Sequence, residues 1–265
     1  MLTVREARKE KGRLIIDRLW CVTDPKAAGE ETILPSGRVQ IIFSLSGLPL
    51  SEHAPNDPQL DARALQVVQG PSTRPRRVSL SSQTSLCGVS FKPGGAGALL
   101  GPIDGLTDHV VDLTRVWPGD AMRLRKRLEA LETHEARLDL LEDEIEEQIG
   151  DTAEATTVTR GLERMREGHA IKDVCVELGL SPHLFRKLFL SNVGLTPKHY
   201  LRIERFRAAL NLLSPDASLS DVAFDAQFAD QPHMTREIEQ FASTTPGRLK
   251  TSRRPYAGHV RDTDR

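Results

Sequence analysis

At 265 residues the chain exceeds the usual size of one domain, so two domains that each bury their own core are the starting expectation. A charged fraction of 28% with a net charge of −1 fits a soluble protein and excludes a polyelectrolyte carried to nucleic acid by bulk charge alone. No apolar run reaches membrane-spanning length and MLTVREARKEKGR lacks the apolar stretch of a signal peptide, so a cytoplasmic location without membrane contact is expected.

Residues 13 to about 92 contain short β-rich runs, RLIIDRLWCV, RVQIIFSLSG, ALQVVQG, RRVSL and TSLCGVSF, separated by Pro, Gly, Ser, Asn and Asp. Such punctuation predicts an antiparallel sheet or small barrel. From Gly119 the texture turns helical: Leu124, Leu128 and Leu131 share one face, and Leu138, Leu141, Ile145 and Ile149 share another, with a break near Thr133 and His134. These stripes suit packing on the sheet or dimerisation, and periodicity leaves both open. Residues 1–149 thus form a predicted β-rich sensor or dimerisation domain with helices at 119–149, and the polar stretch 150–156 a linker.

Cys21, Cys87 and Cys175 are far apart in the chain and have no CxxC neighbour, which favours reduced, buried thiols over a disulfide framework or zinc site. His53, His109 and His134 are too scattered for a metal-ligand set. The stretch GVSFKPGGAGALLG lacks GxGxxG spacing and GK[ST] and reads as tight turns. Arg74, Arg76 and Arg77 read as a solvated basic face. With no paired carboxylates or nucleophile motif to assemble, neither an enzyme nor a cofactor or metal site is expected.

The C-terminal part reads as helices with explicit starts and stops. Val158, Leu162 and Met165 form one apolar face ending at Gly168, and Ile171, Val174, Cys175 and Leu178 form the next, ending at Gly179. Ser181-Pro182 then opens a helix: the Ser side chain can accept from a free N–H, and Pro has no N–H to lose at the first position. Phe185, Leu188 and Phe189 face inward, leaving His183, Arg186 and Lys187 elsewhere. Thr196-Pro197 starts a long helix to about Leu213 with Tyr200, Ile203, Phe206, Ala209 and Leu210 as its stripe. Ser218 to Asp221 forms a capping box, Asp230 caps a helix carrying Gln231, His233, Thr235 and Arg236, and Thr245-Pro246 opens a short last helix. This is the grammar of two helix-turn-helix units joined by a strut of roughly 27 Å, close to the ~34 Å repeat of B-DNA. The half from Asp151 onward holds 17 Lys and Arg against 15 Asp and Glu, so affinity for DNA would depend on where the charges sit.

The run GLSPHLFRKLFLSNVGLTPKHYLRIERFRAALNLLS, followed by SLSDVAFDAQFADQPHMTREIEQFASTTPGRLK, resembles the DNA-binding domain of the AraC/XylS regulators from about Thr156 to Lys250. The landmarks are Gly179, Ser181, Phe189, Gly194, Thr196-Pro197, Tyr200-Leu201, Arg205, Ala209, Leu213, Ala223, Phe228, Arg236 and Pro246, in order and spacing. The resemblance implies an all-α domain at 157–252 with about seven helices, an α+β chain overall, and a transcription regulator that binds double-stranded DNA and acts on RNA polymerase. It places His183, Arg186 and Lys187 in one major-groove segment and Gln231, His233, Thr235 and Arg236 in the next, with Ser181, Thr196 and Lys198 at helix starts near phosphates. Arg suits guanine, Gln suits adenine, and Lys187 and free helix-start N–H groups suit phosphate. Residues 13 to 149 more weakly resemble a sensor-type domain of undefined role, which leaves room for a small-molecule effector or a homodimer.

The second unit departs from the pattern. Gln227 stands where a turn glycine is expected, Met234 and Ile238 replace aromatic core residues, and Asp221, Asp225 and Asp230 reduce the positive field. A reshaped turn is therefore expected there. Competing readings are a regulator-derived protein-interaction module with weakened DNA binding, and an enzyme domain fused to a DNA reader. Residues 253–265 lack periodicity and read as a disordered tail.

Overall fold

Alternation of side chains along the strands builds two antiparallel sheets from the N-terminal half. The computed structural model describes residues 1–50, 52–53, 64–117, 119–255 and 258–261. Strands β1 (Leu2–Arg5), β2 (Ile16–Thr23), β4 (Gln40–Ser44), β6 (Gln66–Gln69), β8 (Ser85–Phe91) and β9 (Val110–Asp112) form a sheet in the order β1-β2-β8-β4-β6-β9. Strands β3 (Glu30–Ile33), β5 (Glu52–His53), β7 (Arg76–Ser79) and β10 (His259–Arg261) form a second sheet in the order β10-β3-β7-β5.

On the first sheet Leu19, Cys21, Ile41, Phe43, Val68, Cys87, Val89 and Phe91 point to one side and are buried. Each large side chain removed from water there contributes about 1.5–3 kcal/mol. That side is covered by α3 (Ala121–Ala130) and α4 (His134–Gln148), whose Leu124, Leu128, Leu138, Leu141 and Ile145 belong to the same core. The two apolar stripes therefore pack on the sheet rather than serving a dimer. Thr133 starts α4 by accepting from the Ala136 N–H at 3.2 Å, which places the break where the sequence puts it.

Glu142 of α4 is only 2% exposed and pins the N-terminal segment. Its carboxylate accepts from the backbone N–H groups of Arg8 and Lys9 and from the Arg5 guanidinium, at 2.5, 2.8 and 2.5 Å. Burial alone would push this carboxyl up, but the three donors outweigh burial and hold it below the usual carboxylate range.

Several elements differ from expectation. Arg13 to Ile15 belong to a helix, α1 (Glu10–Ile15), so the first β-rich run becomes strand only from Ile16. β1 and β3 lie in charged text that local pattern does not mark, and Glu31 of β3 is 3% exposed because tertiary partners accept its charge. His53 as a metal candidate has its side chain outside the described residues. No group of three His, Cys, Asp or Glu able to hold a metal occurs among the described residues. No helix among them is long and apolar enough to cross a membrane.

Seven helices follow: α5 (Ala153–Arg166), α6 (Ile171–Glu177), α7 (Pro182–Val193), α8 (Pro197–Leu212), α9 (Leu219–Asp225), α10 (Gln231–Ala242) and α11 (Pro246–Thr251), after a short α2 (Gly97–Leu100) in the N-terminal half. The architecture is α+β. Of the stretch 150–156, residues 153–156 form the first turn of α5, and Ala155 is buried against the N-terminal core. The Gly150 N–H donates to Ala98 O at 2.9 Å, so this connection is fastened.

The tail also departs from expectation. β10 pairs antiparallel with β3, and the Leu34 N–H donates to Gly258 O at 2.7 Å. The Arg254 guanidinium meets the Leu210 and Leu213 carbonyls at the end of α8. Residues 258–261 are thus ordered by an exposed strand edge and a helix C-terminus, neither of which local sequence reveals. Residues 262–265 lie outside the described residues.

Candidate nucleic-acid interface

The C-terminal helices contain one motif twice. In the first copy α6 ends at Gly179, at φ 66°, with Gly179 N–H donating to Val176 O and Leu180 N–H to Cys175 O, at 3.1 and 2.9 Å. In the second, Gln227 sits at φ 61°, its N–H donating to Phe224 O at 3.0 Å and the Phe228 N–H to Ala223 O at 2.8 Å. The two turns have the same hydrogen bonds, so the second is not reshaped. Gln227 instead holds the left-handed conformation that glycine adopts freely, at a cost of about 1–2 kcal/mol.

Each turn leads into a twelve-residue helix. Ser181 caps α7 by accepting from the Leu184 N–H at 3.2 Å, and Asp230 caps α10 by accepting from the His233 N–H at 2.6 Å. Phe185 and Phe189 are fully buried in α7, and Met234 and Ile238 occupy the corresponding core places in α10. Both helices end on a left-handed residue, Gly194 at φ 74° and Ser243 at φ 53°. Each is followed by a Thr-Pro helix start, capped by Thr196 from His199 N–H and by Thr245 from Arg248 N–H, both at 3.3 Å. Between the copies α8 spans 16 residues, about 24 Å at 1.5 Å per residue, and buries Tyr200, Ile203, Phe206, Ala209 and Leu210.

The two helices offer different outer faces. On α7, His183, Arg186 and Lys187 lie at i, i+3 and i+4, all exposed, and neither Arg186 nor Lys187 pairs with a carboxylate among the described residues. Of the α10 candidates Gln231, His233, Thr235 and Arg236, only Arg236 is exposed to that degree. Gln231 accepts from Ser220 Oγ at 2.9 Å, and the His233 ring packs edge-on against Phe228 with centroids 5.5 Å apart. Thr235 is half-buried. Lys198 is exposed in the first turn of α8. Sequence reasoning passed over Arg248 and Lys172, which are exposed in the first turns of α11 and α6. The repeat of the Thr-Pro start would have pointed to Arg248.

The last turn of α7 is docked on the N-terminal half. The Ile103 N–H donates to Ser191 O at 2.8 Å and Thr107 Oγ1 donates to Gly194 O at 2.5 Å. Asn192, buried, donates from Nδ2 to Glu154 Oε2 at 2.7 Å and to Leu188 O at 3.0 Å. Gly97 is required beside it, since a Cβ there would lie 2.3 Å from Asn192 Oδ1.

A cleft of about 950 Å³ opens between the two sheets and α5 and α8. Trp20, Ile42 and Leu86 of the first sheet supply apolar wall, Glu31 and Ile33 come from the second, and Tyr200, Ile203 and Arg207 come from α8. Arg18 and Arg38 both pair with Asp17. Burial, then the neighbouring Arg38 and Arg18 charges, pull the Arg207 guanidinium below its usual range. Arg207 also donates to Pro35 O at 3.3 Å, tying α8 to the loop after β3.

Residues 174–252 match the family model described as a helix-turn-helix domain, and residues 13–112 match a domain of unknown function (DUF6597). Among curated proteins none matches the chain. Solved structures similar to it include ToxT from Vibrio cholerae, at 11% identity and TM-score 0.47 over 94% of this chain and 97% of that one. The DNA-binding domain of AdpA, in complex with a target DNA, is similar at 22% identity and TM-score 0.32, covering 37% of this chain and 88% of that one. A regulator with an AraC-type DNA-binding domain from Chromobacterium violaceum is similar at 20% identity and TM-score 0.33, covering 38% and 94%. With the duplicated helix-turn-helix unit and both family matches in place, the chain joins a C-terminal helix-turn-helix domain, matched over residues 174–252, to an N-terminal domain matched by DUF6597 over residues 13–112.

Proposed function

We propose that the protein reads a specific DNA site with α7 and α10 in two adjacent major-groove segments, and that α7 carries the larger share of base recognition. The observation that supports this most is the pair of exposed cations Arg186 and Lys187 on α7, without a carboxylate partner among the described residues, against the single exposed cation Arg236 on α10. In this reading His183, Arg186 and Lys187 face the first segment, and Thr235 and Arg236 face the second, with Gln231 and His233 shaping the start of α10. Ser181, Thr196, Lys198 and Arg248 lie at helix starts suited to phosphate.

The interdomain cleft is the proposed site of a small-molecule effector. Its apolar wall would bury a ligand body. The lining as a whole is nearly balanced, with Arg18, Arg38, Lys92, Arg166, Arg207 and Arg261 against Asp17, Asp24, Glu31, Glu163 and Glu204, so a polar end of the ligand would be met locally by Arg18, Arg38 and Arg207 around Asp17. Coupling to DNA would run through the docked end of α7, since the cleft and that dock share the N-terminal half. Control of RNA polymerase accompanies this reading by family resemblance.

A second reading has its own observation. Phe224 is 82% exposed on α9 between Asp221 and Asp225, a face suited to a protein partner rather than to DNA. A gel shift separates the two. Retardation of selected duplexes at physiological salt supports the DNA reader, and none at any salt would leave only the protein-docking module.

A further inference from the structure

Cys21 of β2 and Cys87 of β8 are direct partners in the antiparallel ladder, although 66 positions separate them in the chain. Both are fully buried in the N-terminal core, and their Sγ atoms are 2.7 Å apart. That spacing is within an ångström of a bonded pair, about 2.05 Å, and opposed residues of an antiparallel ladder have Cα atoms roughly 4.5–5.5 Å apart, inside the 4.4–6.8 Å range of disulfides. Both cysteines are free thiols here.

We infer that Cys21 and Cys87 form a redox pair, reduced in this structure and joined by a hydroperoxide, once local opening admits it, into a cross-strand disulfide that the register of the closed sheet accommodates. In the first step one thiolate attacks the peroxide, an S–O bond forms, the O–O bond breaks, and the leaving hydroxide takes a proton to become water. In the second step the other thiolate attacks that sulfur, the S–S bond forms, the S–O bond breaks, and a second water leaves. Two thiols lose two hydrogens and two electrons, and hydrogen peroxide is reduced to two waters.

The location gives the bond a consequence. Along the same two strands Trp20, Leu86 and Ser90 face the cleft while Cys21 and Cys87 face the core. A bond between them would clamp the cleft floor from behind. The contact with Cys21, reinforced by burial, pushes the Cys87 thiol well up, so the pair should resist oxidation until the sheet opens locally. Cys175, alone in the C-terminal core, has no such neighbour and serves as an internal control.

The test exposes the full reduced chain to hydrogen peroxide, with and without low urea, then alkylates it in denaturant and maps peptides without reductant. The expected result is a linked Cys21–Cys87 peptide pair, alkylated Cys175, faster linkage in low urea, and a melting midpoint raised by roughly 5–10 °C. Cys21→Ser and Cys21→Ala should each abolish the linked peptide and the shift, with far-ultraviolet circular dichroism establishing that they fold. Full alkylation of both cysteines after either treatment, irreversible oxidation of either one to a sulfinic acid, or linkage through Cys175 would overturn the inference.

Discussion

Gly179 and Gln227 occupy the same place in two copies of one turn, at φ 66° and 61° with the same pattern of backbone hydrogen bonds. One residue takes this conformation freely and the other is held in it by the surrounding unit. Gln227→Gly should therefore raise stability by about 1 kcal/mol in urea denaturation, less than the full conformational cost because glycine also loosens the unfolded chain. Gly179→Ala should lower it by a similar amount. A Gln227→Gly variant less stable than the parent would show that the glutamine side chain makes the turn rather than tolerating it.

The contrast between α7 and α10 sets the binding prediction. Arg186→Ala should weaken binding to the preferred duplex by about 1–3 kcal/mol and relax base preference in one half of the site. Lys187→Ala should weaken binding to all duplexes alike and reduce the salt slope by about one counterion. Arg236→Ala should affect the other half-site, and by less than Arg186→Ala. Equal losses on preferred and random duplex for Arg186→Ala would reassign it to phosphate.

Glu142 should govern acid stability of the N-terminal half. Its carboxyl lies below its unfolded value, so its contribution is complete above the unfolded carboxyl range near pH 4–5 and is lost as pH falls through the lower folded value. Glu142→Gln should cost about 3 kcal/mol at neutral pH, because Arg5 loses its buried partner, and should flatten the fall in stability on acidification. Denaturation curves from pH 7 down to pH 3 check both signs. Parallel curves for variant and parent would place the acid sensitivity elsewhere.

The return of the chain to β3 is testable by exchange. A variant ending at Pro255 should lose hydrogen-exchange protection at Leu34, whose N–H donates to Gly258 O, and along β3. Protection in β8, at the sheet centre, should stay unchanged. Unaltered protection at Leu34 would mean that β10 contributes nothing to that edge.

These relationships were unevenly visible in the sequence. Ser181-Pro182, Thr196-Pro197 and Thr245-Pro246 announced their helices because capping is settled within three residues, and each hydroxyl accepts the N–H three residues on. Gly168 and Gly179 marked turns for the same local reason. β1, β3 and β10 were illegible because charged strands persist only through partners distant in sequence, such as Glu31 with His259. The Cys21–Cys87 contact required the register of the first sheet, and the partial burial of Gln231 and His233 required knowing that Ser220 and Phe228 would meet them. The starts of α7 and α10 were thus legible, and the degree to which α10 is occupied by its own unit was not.

Selection of bound sequences from a random duplex pool by the full chain, followed by footprinting on the winners, tests the central claim most directly. The account predicts a site on one face of the duplex with two blocks of base preference about 10 bp apart, centre to centre. The stronger block should vanish in Arg186→Ala and the weaker in Arg236→Ala. A single protected major-groove segment, or two blocks that both survive Arg186→Ala, would contradict it.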